Sequence, residues 1–255
     1  MRAKHRIPCA EKDRLLFGDR FNERGPSAPR SGNRSGYCRG EIVWPLAGVR
    51  IGRSLLVSAS RHTREGGWWP YPLEPRRIAG SRLGILGFGR IGRLVAAQAQ
   101  ALRMEVVACD AFVPEAAMHE AGVASVDVDT LFESSDVVTL HAPLTDGTRH
   151  VVNARRLAQM RSDAYLVNCA RAGLVDHAAL GDALRFGEIA GAATDVFPVE
   201  PPPADEPALS WPNLIVQPHS AWYSPAASLA PYTRQIEDLA RFLRGEQPVG
   251  LIPGA

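Results

Sequence analysis

Along the chain, short apolar runs of strand length alternate with stretches in which apolar residues recur every three or four positions. Leu83-Gly84-Ile85-Leu86, Val106-Val107-Ala108-Cys109, Val137-Val138-Thr139-Leu140, Ala164-Tyr165-Leu166-Val167 and Leu214-Ile215-Val216 read as buried strands. Between Arg90 and Leu102 the residues Ile91, Leu94, Val95, Ala99 and Leu102 fall on one helical face, and further helices are expected over Ala154 to Met160 and Asp176 to Phe186. This alternation predicts an α/β fold, a doubly wound parallel sheet covered on both faces. Ser224-Pro225 reads as an N-cap followed by a first-turn proline, opening a helix that runs to about Arg244 and stops at Gly245. Its apolar stripe is Tyr232, Ile236, Leu239 and Leu243, and Pro231 is expected to kink it or to move its start. Upstream, a helix is expected over Pro45 to Arg64, although Gly48 and Gly52 oppose it, with Gly66 to Pro72 as an extended aromatic arm containing Trp68 and Trp69.

Composition divides the chain. Residues 1–40 hold ten basic and four acidic side chains, while the whole chain of 255 residues has 29 and 27. A basic leader therefore precedes a mildly acidic body. Residues 18–40 are rich in Gly, Ser, Pro and Arg, too poor in apolar surface to offset chain entropy, so the leader is expected to be disordered. The expected organisation is a leader at 1–40, a helix and arm at 41–80, a nucleotide-binding domain at 81–222, and a terminal helix and tail at 223–255. The near-neutral balance argues against a nucleic-acid binder. The short, interrupted apolar runs argue against a membrane span. Cys9, Cys38, Cys109 and Cys169 show neither disulfide-scaffold nor zinc spacing, so no metal is expected and a reducing, cytoplasmic compartment is the default.

Gly87-Phe88-Gly89-Arg90-Ile91-Gly92 follows the first strand and opens the first long helix, and Asp110 ends the next strand 18 positions after Gly92. Such a glycine pattern alone is weak; in this context each residue has a task. Gly87 makes the tight turn, Gly89 lets a pyrophosphate approach the backbone, and Gly92 allows close helix–strand packing. The free amides near Arg90 and Ile91 at the positive helix end would hold phosphates. Asp110 would accept bonds from the adenosine ribose and repel a 2′-phosphate, favouring NAD over NADP.

Further motifs follow in order: His141-Ala142-Pro143-Leu144-Thr145 with Thr148, Asn168-Cys169-Ala170-Arg171-Ala172-Gly173, Asp195-Val196-Phe197-Pro198-Val199-Glu200-Pro201, and Gln217-Pro218-His219. Over roughly residues 54–245 the chain resembles the D-isomer-specific 2-hydroxyacid dehydrogenases. His219-Ser220-Ala221-Trp222-Tyr223-Ser224 is most similar to the C-terminal-binding-protein branch of that family. The resemblance implies NAD as cofactor, a small 2-keto or 2-hydroxy acid as substrate, and Arg171, Glu200 and His219 as catalytic residues. The chemistry agrees with those assignments: an arginine fork suits a substrate carboxylate, a histidine exchanges the proton of the alkoxide, and a glutamate beside it stabilises the imidazolium.

By the same resemblance, cofactor contacts are expected at Leu86, Gly87, Phe88, Gly89, Arg90, Ile91 and Gly92, at Asp110, and at Ala142, Pro143, Leu144 and Thr148. They continue at Cys169 and Ala170 beside Arg171, at Asp195, and at Ser220, Ala221 and Trp222. Asp195 is expected to accept the nicotinamide carboxamide. Trp222 is open to two readings, a cap on the substrate pocket or a core aromatic at the start of the last helix. His141 is counted as cofactor-lining. The resemblance also implies a homodimer formed through the nucleotide domain.

The family usually carries a further substrate domain before the region matching Ser54, and residues 1–40 do not resemble its start. The sequence is therefore expected to be N-terminally truncated or misread, leaving Tyr232, Ile236 and Leu239 exposed. Three readings stay open: a dehydrogenase, an NAD(H)-responsive, corepressor-like binding module without turnover, and a non-functional fragment.

Overall fold

The computed structural model describes residues 56–68 and 76–249. The leader, the expected helix before Leu56 and the arm at Trp69 to Pro72 lie outside the described residues. Helix α1 (Leu56–Arg64) falls within the span expected for the upstream helix. The core elements then follow as β1 (Arg82–Leu86), α2 (Arg90–Ala101), β2 (Glu105–Cys109), α3 (Glu115–His119), β3 (Ala124–Ser125), α4 (Val128–Ser134) and β4 (Val137–Leu140). The second half comprises α5 (Ala154–Gln159), β5 (Tyr165–Asn168), α6 (His177–Arg185), β6 (Gly191–Thr194), β7 (Leu214–Val216) and α7 (Pro225–Leu243), with 3₁₀ turns at Ala172–Leu174 and Pro207–Ser210.

The seven strands pair in the order β3-β2-β1-β4-β5-β6-β7, and every pairing is parallel. The strand alternation sorts side chains between two cores. Leu83 and Ile85 of β1, Val137 of β4 and Val167 of β5 face α2 and α3, where Val95, Ala99 and Met118 meet them. Leu86, Val138, Leu140 and Leu166 point to the opposite face, against Leu131 and Phe132 of α4, Leu157 of α5 and Leu180 and Leu184 of α6. Burial on both faces explains why these strands are continuously apolar.

Strands β3 and β6 are additions to the expected set. The Gly-Ala-Ala-Thr run of β6 lacks the branched side chains that mark a strand, yet Gly191 is required: a Cβ there would lie 2.8 Å from the Asn213 carbonyl. The last helix begins at Pro225 with the Ser224 side chain accepting from the Ala227 N–H, and Pro231 lies inside it without moving its start. The apolar stripe is uncovered, with Tyr232, Ile236 and Leu239 each more than half exposed. Among the described residues no helix is long and apolar enough to cross a membrane.

Candidate active site

The sheet reverses direction of growth between β1 and β4, and the loops leaving the carboxyl ends of the parallel strands gather there, where open α/β sheets bind ligands. Gly87, the first residue after β1, has φ +97° and donates its N–H to the Cys109 carbonyl over 2.9 Å. A Cβ at Gly87 would strike the Ala142 nitrogen at 2.5 Å, and one at Gly92 would strike the Gly87 carbonyl oxygen at 2.2 Å. The glycines thus let the first loop, the β4 loop and α2 converge. Gly89 precedes the first turn of α2, which no side chain caps, and the direction of its missing Cβ is open. Uncapped amides facing open space are what a phosphate requires.

Asp110 closes this half of the site. One carboxylate oxygen accepts the Phe88 N–H at 2.7 Å, and the other accepts those of Phe112 and Val113 at 2.8 and 3.0 Å. Burial pushes this carboxyl up, but the three amides and the nearby Arg93 outweigh it and hold the group below the usual carboxylate range. Asp110 is therefore an ionised acceptor that also pins the glycine loop. Arg93 lies over the Phe88 ring, 4.8 Å from its centroid.

At the end of β4, the His141 N–H donates to the Leu86 carbonyl at 2.7 Å. Its ring Nε2 meets the Thr139 hydroxyl at 3.0 Å, and burial pushes the imidazole down to about 4, so it is neutral at physiological pH. Thr148 turns its hydroxyl inward, donating to the Pro143 carbonyl at 2.6 Å and accepting the Thr145 N–H at 2.8 Å. It shapes the Pro143–Thr148 turn.

The other half of the site is a cleft of about 740 Å³ that brings together Arg171, Glu200 and His219, with Leu144 and Arg149 also in its wall. Arg171 follows β5 and is exposed, with one guanidinium nitrogen on the Ala170 carbonyl at 2.6 Å. Its loop is held by Asn168, whose side chain accepts the Ala170 N–H at 3.1 Å and donates to the Arg171 carbonyl at 3.0 Å. Glu200 accepts from His219 Nδ1 at 2.6 Å and from the Phe197 N–H at 2.9 Å. Burial pushes Glu200 up, but His219, the Phe197 amide and the charge of Arg171 together hold it below its ordinary value. An ionised glutamate only accepts, so Nδ1 of His219 carries the proton and Nε2 is left to face the cleft.

His219 sits at φ +50°, a conformation that a non-glycine residue adopts only when its surroundings impose it. Asp195, 1% exposed, accepts the next two amides, Ser220 at 2.8 Å and Ala221 at 2.9 Å. A nicotinamide carboxamide would have to share these oxygens with the backbone. Trp222 is 38% exposed and meets Tyr223 edge to face at 5.6 Å, so the reading of it as a core aromatic is corrected. Cys169 is a half-buried residue beside Ala170.

Sequence reasoning passed over Asn168 as a positioning group, and also His177 and Glu206, whose side chains meet at 2.8 Å beside the cleft. No local pattern marks such long-range pairs.

A parallel sheet in this order, a glycine turn under an uncapped helix and an acidic residue ending β2 define a dinucleotide-binding domain. The chain belongs to the D-isomer specific 2-hydroxyacid dehydrogenase family, whose NAD-binding domain matches residues 53–221. It is 40% identical over 201 residues to a glyoxylate reductase of Korarchaeum cryptofilum, covering 77% of this chain and 60% of that protein. A D-3-phosphoglycerate dehydrogenase of Methanocaldococcus jannaschii is 38% identical over 192 residues, covering 75% of this chain and 36% of its own length. The D-lactate dehydrogenase of Lactobacillus jensenii, solved with NAD+, superposes with a TM-score of 0.76 at 27% identity over 84% of this chain and 68% of its own. Against three curated relatives, the chain spans 36–62% of their length. NAD is thus the cofactor of this domain, and the Gly87–Gly92 turn and Asp110 fit it.

Proposed function

We propose that the protein is an NAD-dependent oxidoreductase acting on a small D-2-hydroxy acid and the corresponding 2-keto acid. The observation that carries this reading is the Glu200–His219 hydrogen bond, 2.6 Å long, in a cleft that Arg171 also lines. Relatives bear the names glyoxylate reductase, glycerate dehydrogenase and hydroxypyruvate reductase, all acting on short acids of this kind.

Arg171 presents a planar pair of donors to the substrate carboxylate and draws electron density from the adjacent carbonyl. His219 holds a proton at Nε2 for the substrate oxygen when the keto acid is reduced, and takes it back when the hydroxy acid is oxidised. Glu200 stabilises the charged imidazole through Nδ1 and fixes the ring's direction. When bound, the nicotinamide supplies or accepts the hydride. The cofactor-facing groups in this reading are the Leu86–Gly92 turn, Asp110, the Ala142–Thr148 turn, Cys169, Ala170, Asp195, and Ser220 to Trp222.

Residues 81–222 form the nucleotide-binding unit, and residues 223–255 supply a terminal helix, Pro225–Leu243, and a tail. The protein works as a homodimer joined through the nucleotide domain, supported by Trp68, which is 81% exposed on the segment leading from α1 into the sheet. A cytoplasmic setting agrees with four widely spaced cysteines that form no disulfide-scaffold pattern in the sequence. The test is NADH consumption with a panel of glyoxylate, hydroxypyruvate and pyruvate, alongside R171A and H219A. Turnover by the parent and its loss in both variants is the expected result. NADH binding without turnover of any acid would overturn it in favour of a nucleotide-responsive binding module.

A further inference from the structure

We propose that His177 and Glu206 are a positioning pair for the reaction, tying the loop that carries Arg171 to the loop that carries Glu200; this rests on the reading of those two residues as catalytic. The two loops leave neighbouring strands, β5 and β6, and each must hold its charged side chain at the same cleft. Nothing in the sheet ladder sets the spacing between them beyond the strand ends at Asn168 and Thr194. His177 is the first residue of α6, at the root of the Arg171 loop, and Glu206 caps the 3₁₀ turn at the root of the Glu200 loop.

His177 Nε2 and Glu206 Oε1 are 2.8 Å apart, and the same glutamate oxygen accepts the Ala208 N–H at 3.1 Å. The His177 ring also packs on Trp211, with centroids 4.6 Å apart. Trp211 in turn lies against Gly181, one turn further along α6, where a Cβ would be 2.6 Å from the indole. Beneath the pair is a small void of about 20 Å³, bordered by His177, Ala208 and Trp211 and also by Asn168, which holds the Arg171 carbonyl. His177 itself lines the cleft together with Arg171 and Glu200.

The pair is not needed to start α6, because Asp176 already caps that helix through the Ala179 N–H at 3.1 Å. Trp211 secures the loop laterally through ring contact. The hydrogen bond is the directional link that fixes how far the Glu200 loop stands from the Arg171 loop. Small displacements of such groups are costly to a reaction that depends on their separation.

The test uses the full 255-residue chain and three variants. H177F keeps an aromatic ring on Trp211 but loses the hydrogen bond, H177Q keeps a donor, and E206A removes the acceptor. H177F and E206A are expected to lower kcat/KM for the 2-keto acid by roughly tenfold, with NADH affinity by fluorescence within about twofold of the parent, and H177Q to retain most of the activity. The double variant H177F/E206A is expected to be no worse than the more impaired single one, the mark of a shared interaction. Amide exchange at Phe197, bonded to Glu200, and at Ala170, bonded to Asn168, is expected to accelerate in H177F and E206A. If the parent consumes no 2-keto acid, the functional reading fails and these two amides alone decide the pair. Unchanged exchange at both in H177F, or additive effects in the double variant, would overturn the proposal. Should H177F fail to fold, E206A with the same readouts decides.

Discussion

Nδ1 of His219 donates to Glu200 over 2.6 Å while the backbone of His219 is held at φ +50°. The side chain is oriented by β6's loop and the backbone by Asp195 at the end of β6, so one neighbouring strand controls both. The imidazole is left with a single free nitrogen.

It follows that E200Q, which keeps shape but removes charge, lowers kcat by about 10²-fold with little change in NADH affinity. Steady-state kinetics paired with a fluorescence titration of NADH checks this split. Equal losses in both would place Glu200 in cofactor binding.

Asp110 accepts three loop amides, and in the proposed function it also faces the cofactor. D110A is expected to lower the melting temperature by a few degrees, because three amides lose their acceptor. It is also expected to weaken NAD binding by about tenfold or more and to narrow the preference over NADP. Calorimetry and parallel titrations with both nucleotides read the two effects separately.

G92A places a methyl group 2.2 Å from the Gly87 carbonyl oxygen, a backbone atom that cannot swing away. A destabilisation of about 2 kcal/mol or more is expected in urea unfolding, together with weaker NAD binding, since the turn moves with the helix.

His141 titrates at about 4 when folded, against an ordinary value of 6.5. The unfolded chain therefore binds more protons between those values, and stability contributed by the neutral, buried ring is complete above the higher value and falls as pH drops toward the lower. H141Q is expected to flatten that part of the stability profile between pH 6.5 and about 4, measured by urea midpoints across the range.

Ile236 and Leu239 are exposed on α7 and bury little surface. I236Q and L239Q should each change stability by less than about 0.5 kcal/mol, while lowering binding of a hydrophobic dye. A large loss of stability would mean that the stripe is covered in solution.

Much of this architecture is legible in local patterns. β1, β4 and β5 are continuously apolar because both faces are buried, α2 shows its stripe, and Ser224-Pro225 marks the start of α7 through capping chemistry. The weak elements were those whose reason for existing lies elsewhere in the chain. The Gly-Ala strand β6 holds its place because Tyr165 and Asn213 leave no room for larger residues at Gly191. Pro231 stays within a helix that its sequence neighbours alone would not guarantee.

The sequence by itself determined the doubly wound sheet and the nucleotide turn, because those signals are local periodicities and motifs at loop ends, while Arg171, Glu200 and His219 were marked out by motifs that resemble the family's. Only the tertiary structure decided what holds them: Asp195 under the His219 loop, Asn168 behind Arg171, and the His177–Glu206 contact between loops. Each joins side chains to loops that backbone pairing brings together, and contacts across a sheet leave no period in the chain from which they could be read.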